Sequence, residues 1–250
     1  MNVAIAVPIG LALGQAFHLL FDRLYTGEPW AGPLHCCPSC RQPLPPALLL
    51  PILGFLWSRG RYPCCYAHLS WRAMILPAGS AALFAASALV FDQLGPGLLA
   101  GVFATIFLVI TLTDIDRRLI PNRVVYPSIL LAAAFSWAWP DTSVAQIFAG
   151  GLVAVAIAAG LLILSFPFGA NAFGLGDVKM IVLIGVVVGL PAVIVGMLVG
   201  TLAAGVAAAL LLLLRLKGRR DYMPHGPFLA LGTLIALFWG GEIWDWYFQR

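Results

Sequence analysis

A series of long apolar runs leaves this chain few ways to fold. Crossing a hydrocarbon core of about 30 Å takes about 20 helical residues. Apolar runs lie at 2–21, 73–91, 97–113, 124–139, 146–167, 178–214 and 226–247. The 178–214 run is too long for one crossing, and Gly189-Leu190-Pro191 inside it is a turn signal. Dividing it there predicts about eight helices and an all-α, polytopic membrane fold. Composition agrees, with 62% hydrophobic and 10% charged residues, against about a quarter charged in a soluble domain. The first run lacks a basic start, so it reads as a retained helix rather than a cleaved signal. A more polar stretch follows it. The chain is therefore expected to divide into 1–72, a first transmembrane helix with a Cys-rich loop, and 73–250, the main transmembrane domain.

Basic residues orient these helices. Arg23, Arg41, Arg59, Arg61 and Arg72 precede the second helix, Arg117, Arg118 and Arg123 follow the third, and Arg215, Lys217, Arg219 and Arg220 follow the seventh. All fall on one side in the eight-helix count. The other side holds Asp92, Asp141, Glu242 and Asp245. The positive-inside rule makes the basic side cytoplasmic. Both termini are then outside. The net charge of +4 is small and reports topology rather than nucleic-acid binding. Trp137, Trp139, Trp244, Trp246 and Tyr247 fall near the outer helix ends, as an interfacial belt does.

An ionisable residue at membrane depth is costly and is a functional candidate. Asp177 follows Gly-Leu-Gly in "NAFGLGDVKM", 171–180. Only about a dozen residues separate it from the turn at Pro191, a rise of roughly 18 Å. Asp177 is therefore expected to be recessed in a water-accessible cavity open to the cytoplasm. The plainer reading is a helix-capping Asp. A second carboxylate, Asp114, ends the third helix in "LVITLTDIDRRLIPNRV". Asp116 is two residues on and points elsewhere; it reads as a charge-balanced helix end beside Arg117 and Arg118. Two carboxylates sharing a site can hold one proton between them, one acting as base and the other as acid. Such a pair activates water against a peptide carbonyl without a metal. Lys179 is read as snorkelling to the headgroups.

These residues resemble a known family. "TDIDRRLIPN" and "GLGDVK" are similar to the two catalytic motifs of the type IV prepilin peptidases. "GLALGQAFHLLFDRL" resembles that family's first helix, "CPSCRQPLPPALLLPILGFLWSRGR" its cytoplasmic Cys loop, and "MPHGPFLALG" the start of its last helix, with His225 where Phe is usual. The resemblance runs the full length in the right order. It implies an inner-membrane aspartic endopeptidase with Asp114 and Asp177 as the catalytic pair. The implied substrates are prepilins or pseudopilins, cut at the cytoplasmic face after a basic leader. Presenilin-like proteases share Gly-Leu-Gly-Asp but pair it with Tyr-Asp; here the partner is Thr113-Asp114. The lack of His-Glu-x-x-His speaks against a zinc metalloprotease. The non-enzyme alternative is a proton-coupled transporter using buried Asp residues. It leaves the Cys loop unexplained.

The loop holds Cys36, Cys37, Cys40, Cys64 and Cys65. A reducing cytosol favours metal binding over disulfides. Cys37-Pro-Ser-Cys40 supplies half of a tetrahedral zinc site. The family's other half is a second Cys-x-x-Cys; here Tyr62 aligns with its first Cys and Cys65 with its second. The expected ligands are Cys37, Cys40, Cys65 and His68, with Cys64 the nearest alternative and Cys36 another. A zinc-free loop with spare thiols is the other reading. Most members of the resembled family also methylate the new N-terminus from S-adenosylmethionine. This chain departs from them at His18, where Asn is typical, and at Pro77, where the family has Glu. Weak or absent methyltransferase activity is expected.

Overall fold

A computed structural model describes residues 1–21, 37, 40, 42–45, 50, 52–139, 142–165, 174–216, 218 and 223–248. The described helices, in order, are α1 (Val3–Leu20), α2 (Leu53–Trp57), α3 (Arg72–Val90), α4 (Leu94–Arg117), α5 (Asn122–Ala134), α6 (Val144–Ser165), α7 (Leu175–Val188), α8 (Ala192–Leu213) and α9 (Gly226–Phe248). Among the described residues there is no strand, only an antiparallel bridge between Arg61 and His68. Arg23, Cys36, Arg41, Asp141, Asn171, Lys217, Arg219 and Arg220 lie outside the described residues.

Every helix expected from the apolar runs is present. The turn falls where expected: α7 ends at Val188, Gly189 takes a φ of +66°, and α8 begins after Pro191. The number of full crossings needs correction. Among the described residues six helices are long and apolar enough to span a membrane: α1, α3, α4, α6, α8 and α9. The helix α5 has 13 residues and α7 has 14, which is about 20 Å each. Two local causes shorten them. The run at 124–139 leaves the α conformation at Phe135 and continues as one 3-10 turn, Ser136–Ala138. The helix α7 is bounded by Gly174 and Gly189.

The chain forms two compact units that divide inside α4, Met1–Val109 and Ile110–Arg250. The expected 1–72 segment shares the first unit with α3. There α1 packs antiparallel along α3. Gly14 faces Leu76 and Pro77; a Cβ on it would lie 2.6 Å from the Pro77 Cα. At the far end the Arg72 guanidinium lies 4.5 Å from the centre of the Phe21 ring. Ser80 and Thr105, both fully buried, join α3 to α4 through a 2.8 Å hydroxyl hydrogen bond.

In the second unit α8 pairs with α9, while α7 packs on α6 and α5. Gly196 and Gly200, one turn apart on α8, face Gly232 of α9. A Cβ on Gly200 would meet the Phe228 carbonyl oxygen at 2.9 Å. Elsewhere on α8, Ile194, Leu198, Leu202, Val206 and Leu210 recur every fourth residue and are all exposed. Lipid tails are as apolar as leucine, so large side chains gain little by burial in protein. Small residues instead let backbones touch. The exposed stripe therefore faces lipid and the glycines face the partner helix. Trp137, Trp246 and Tyr247 are also exposed, as a belt requires.

Candidate functional site

The sequence after Asp114 makes a sharp stop. Arg118 adopts a φ of +54° and its amide bonds back to the Asp114 carbonyl at 2.9 Å. Ile120 is buried, and Pro121 opens α5. Asp114 is thereby left in the last turn of α4, only 3% exposed. Its Oδ2 accepts the Gly226 N–H at 2.9 Å. Gly226 is the first residue of α9, and the next free amides, of Phe228 and Leu229, bond to the His225 carbonyl. The Gly226 amide has no partner within its own helix, and the Asp114 carboxylate supplies one from another helix. A Cβ on Gly226 would lie 2.7 Å from Asp114 Oδ2, so a larger residue would push the carboxylate away. The Thr113 hydroxyl turns back to the Ile110 carbonyl at 2.8 Å and takes no part. The His225 imidazole lies in the field of Asp114. The "MPHGP" stretch carries this role for Gly226; its Gly-Pro at a helix start was the available signal, and sequence reasoning used it only as a resemblance.

Asp177 sits in the first turn of α7, half-buried, with its amide bonded to the Gly174 carbonyl at 3.0 Å. A Cβ on Gly176 would lie 3.3 Å from the Ile120 Cβ, which seats α7 against the segment that follows Asp114. Both carboxylates belong to the second unit. The Lys179 Nζ donates to Asn122 Oδ1 at 2.8 Å and lies 5.6 Å from the Tyr126 ring centre, tying α7 to α5. Asp116 pairs with Arg117 at 3.1 Å and is exposed, outside the site as expected.

The cysteines gather in the first unit. A turn closed by the Cys37 N–H and the Gln42 carbonyl, 2.8 Å apart, presents Cys37 and Cys40. A hairpin presents Cys64 and Cys65 at its tip, closed by Tyr62 N–H to the Ala67 carbonyl at 2.9 Å and Leu69 N–H to the Gly60 carbonyl at 2.8 Å. The four Sγ atoms all lie within 4.8 Å of one another. Nearest separations are 3.3 Å for Cys40–Cys64, 3.5 Å for Cys37–Cys65 and 3.9 Å for Cys64–Cys65. A tetrahedral ion with metal–sulfur bonds of about 2.3 Å holds its sulfurs about 3.8 Å apart, so the cluster has the dimensions of a metal centre. Burial, together with hydrogen bonding among the neighbouring thiols of Cys40, Cys37 and Cys65, pushes the Cys64 thiol up to about 12. A divalent cation would take the place of those protons. His68 stands outside the cluster. It faces Arg61 across the hairpin and is exposed. Cys64, the alternative ligand, occupies the position expected for it. The alignment pointed to Cys65 and the Cys-x-x-His spacing to His68, but the hairpin tip turns both adjacent thiols inward.

Comparison with known proteins now bears on the site. The bacterial peptidase A24 N-terminal domain matches residues 9–91, and the type IV leader peptidase family matches 101–213. A prepilin leader peptidase/N-methyltransferase of Aeromonas hydrophila is 31% identical over 223 residues, covering 86% of this chain and 74% of the relative. The chain belongs to the type IV leader peptidase family. A prepilin leader peptidase/N-methyltransferase of Bacillus subtilis (strain 168) is 29% identical over 252 residues, covering 99% of this chain and 98% of the relative. Another, of Pseudomonas putida, is 26% identical over 216 residues. No solved structure matches the chain. The stretch matching the leader peptidase family contains both Asp114 and Asp177 and stops short of Gly226. The cysteines lie in the N-terminal-domain match.

Elemental analysis of the purified protein should find about one divalent ion per chain, and the Cys64→Ser variant should lose it. His68→Ala should keep it. Retention in Cys64→Ser with loss in His68→Ala would replace the thiol by the imidazole as fourth ligand.

Proposed function

We propose that this leader peptidase is a membrane-embedded aspartic endopeptidase that removes the basic leader of prepilins or pseudopilins, with Asp114 and Asp177 as its catalytic pair. The observation that carries the reading is the placement of two carboxylates from separate helices about one bend: Asp114 begins it, Gly176 beside Asp177 is seated against Ile120 within it, and Asp114 is anchored by an amide at the start of a third helix. The named relatives are prepilin leader peptidases/N-methyltransferases, which supports the substrate class. Nothing favours a transporter.

The chemistry follows from the pairing. Like charges close together do not both ionise easily, so the pair shares a proton. The ionised member takes a proton from water, and the water oxygen attacks the scissile carbonyl. The protonated member gives its proton to the carbonyl oxygen, forming a tetrahedral diol. Protons then return, one to the departing nitrogen, as the C–N bond breaks. The Gly226 amide holds Oδ2 of Asp114 throughout, which fixes the plane of the carboxylate. Positioning of this kind carries a large share of catalytic power. Lys179, bonded to Asn122, keeps the short helix α7 from rotating Asp177 out of place.

The basic loops support an inner-membrane location with the cutting face cytoplasmic. The substrate helix then stays in lipid while its leader reaches the carboxylates from the aqueous side. Cys37, Cys40, Cys64 and Cys65 would hold a structural zinc ion. Bound there, zinc supplies folding energy to the two turns that carry the thiols, and no step of the cleavage passes through it.

Asp114→Asn and Asp177→Asn should each abolish cleavage of a prepilin-like peptide, because an amide serves neither as base nor as shared acid. Asp116→Asn should keep most of the activity. Near wild-type processing by well-expressed Asp114→Asn protein would refute the assignment.

Gly226→Ala should lower kcat at least about tenfold, through displacement of the Asp114 carboxylate by a fraction of an ångström or more. Its expression and melting temperature should stay near wild type. Unchanged kcat in a folded variant would remove Gly226 from the positioning role.

Methylation of the new N-terminus is expected to be weak or absent. Pro77 is buried at the α1–α3 contact, against Gly14, and His18 follows one turn along α1 from that glycine. The two departures from the family therefore share one helix pair. Pro77 can neither bind nor deprotonate an amine. Mass spectrometry of processed pilin, with S-adenosylmethionine present, should show the unmethylated product. A product heavier by one methyl group throughout would show the chain to be bifunctional.

A further inference from the structure

The segment from α2 to the Cys-bearing hairpin has a surface that neither cleavage nor metal binding uses. Leu53, Leu56 and Trp57 of α2 are 62%, 60% and 87% exposed. Two arginines, Arg59 and Arg61, follow immediately and are also exposed. They line an open cleft of about 760 Å³ together with Trp57, Tyr62 and Tyr66. The backbone is folded tightly to present them. Gly60 N–H bonds to the Phe55 carbonyl at 3.0 Å and Arg61 N–H to the Ser58 carbonyl at 3.1 Å. Arg59 and Tyr66 adopt φ values of +51° and +57°, a region that costs energy for residues other than glycine.

Charge says what such a cleft accepts. The sequence from residue 29 to residue 91 contains no Asp or Glu. Among the described residues no carboxylate pairs with Arg59 or Arg61. A basic leader peptide would be repelled. A small soluble anion would satisfy the arginines but leave Leu53, Leu56 and Trp57 in water. A phospholipid headgroup answers both halves: a phosphate for the guanidinium groups, and an acyl boundary for the leucines and the indole. Distance permits it. Only Ser70 and Trp71 separate the hairpin's last backbone bond, at Leu69, from the spanning helix α3, a reach of about 11 Å at full extension.

We propose that residues 53–66 form an interfacial anchor that binds an anionic phospholipid headgroup through Arg59 and Arg61, with Leu53, Leu56 and Trp57 entering the headgroup–acyl boundary. The anchor holds the Cys-bearing hairpin against the leaflet from which α3 departs. It acts whether or not the chain cleaves a leader.

The test uses the full chain in nanodiscs of phosphatidylcholine alone or with about a third phosphatidylglycerol. Hydrogen exchange of peptides covering residues 52–66 is followed by mass spectrometry. Exchange should slow about 25-fold in the anionic discs. Arg59→Gln and Arg61→Gln should each remove roughly fivefold of that protection, and the double variant all of it, with bound metal unchanged. Inorganic phosphate added to phosphatidylcholine discs should not reproduce the effect. Equal exchange in both discs, or full protection in the double variant, would overturn the proposal. Protection by inorganic phosphate alone would make this a free-anion site instead. Loss of the ion in the arginine variants would assign the arginines to neutralising the thiolate centre and would equally overturn it.

Discussion

Asp114 accepts a hydrogen bond from Gly226 at 2.9 Å, and the arrangement of the second unit turns on it. A carboxylate buried at the end of a spanning helix has little water to bond to, and a helix start has amides its own turns cannot satisfy. Each resolves the other's deficit. The price is steric: a Cβ at position 226 would lie 2.7 Å from Asp114 Oδ2 and would displace the carboxylate. That bond in turn requires α9 to be held in register. Gly196, Gly200 and Gly232 bring α8 and α9 to backbone contact, and the large residues of α8 point to lipid instead. The carboxylate geometry is therefore set by small residues distant from it in sequence.

The short helices serve the same end. At 14 residues, α7 is too short to span the membrane alone. Its position is taken up by the Gly176 contact with Ile120 and the Lys179 bond to Asn122. Both partners come from the residues just after Asp114. The two carboxylates are thus coupled through one local stretch, 118–122, whose bend begins at the left-handed Arg118.

The first unit obeys different physics. Its hairpin and turn, outside the helices, have little apolar core, and four thiols within 4.8 Å take that place. Adjacent cysteines at a hairpin tip can point to the same side because the chain reverses there. An extended or helical reading would send Cys64 and Cys65 apart. For this reason the spacing of Cys65 and His68 pointed to the imidazole, whereas the clustered fourth group is the Cys64 thiol.

Much of the architecture was legible in the sequence because lipid imposes a simple rule: apolar length decides where helices run. The helix order and the turn at Gly189–Pro191 follow from runs and punctuation, and the cost of charge at depth is what made Asp114 and Asp177 candidates. The helix ends were less legible. Phe135 is as apolar as its neighbours, and nothing in its composition announces that α5 stops there. Tertiary structure alone decided the partners: Gly226 for Asp114, Asn122 for Lys179, Cys64 for Cys40. These link positions separated by 112, 57 and 24 residues. Hydropathy carries no information about which polar groups will meet, because that depends on helix rotation and on the close approach that glycine at the contact permits.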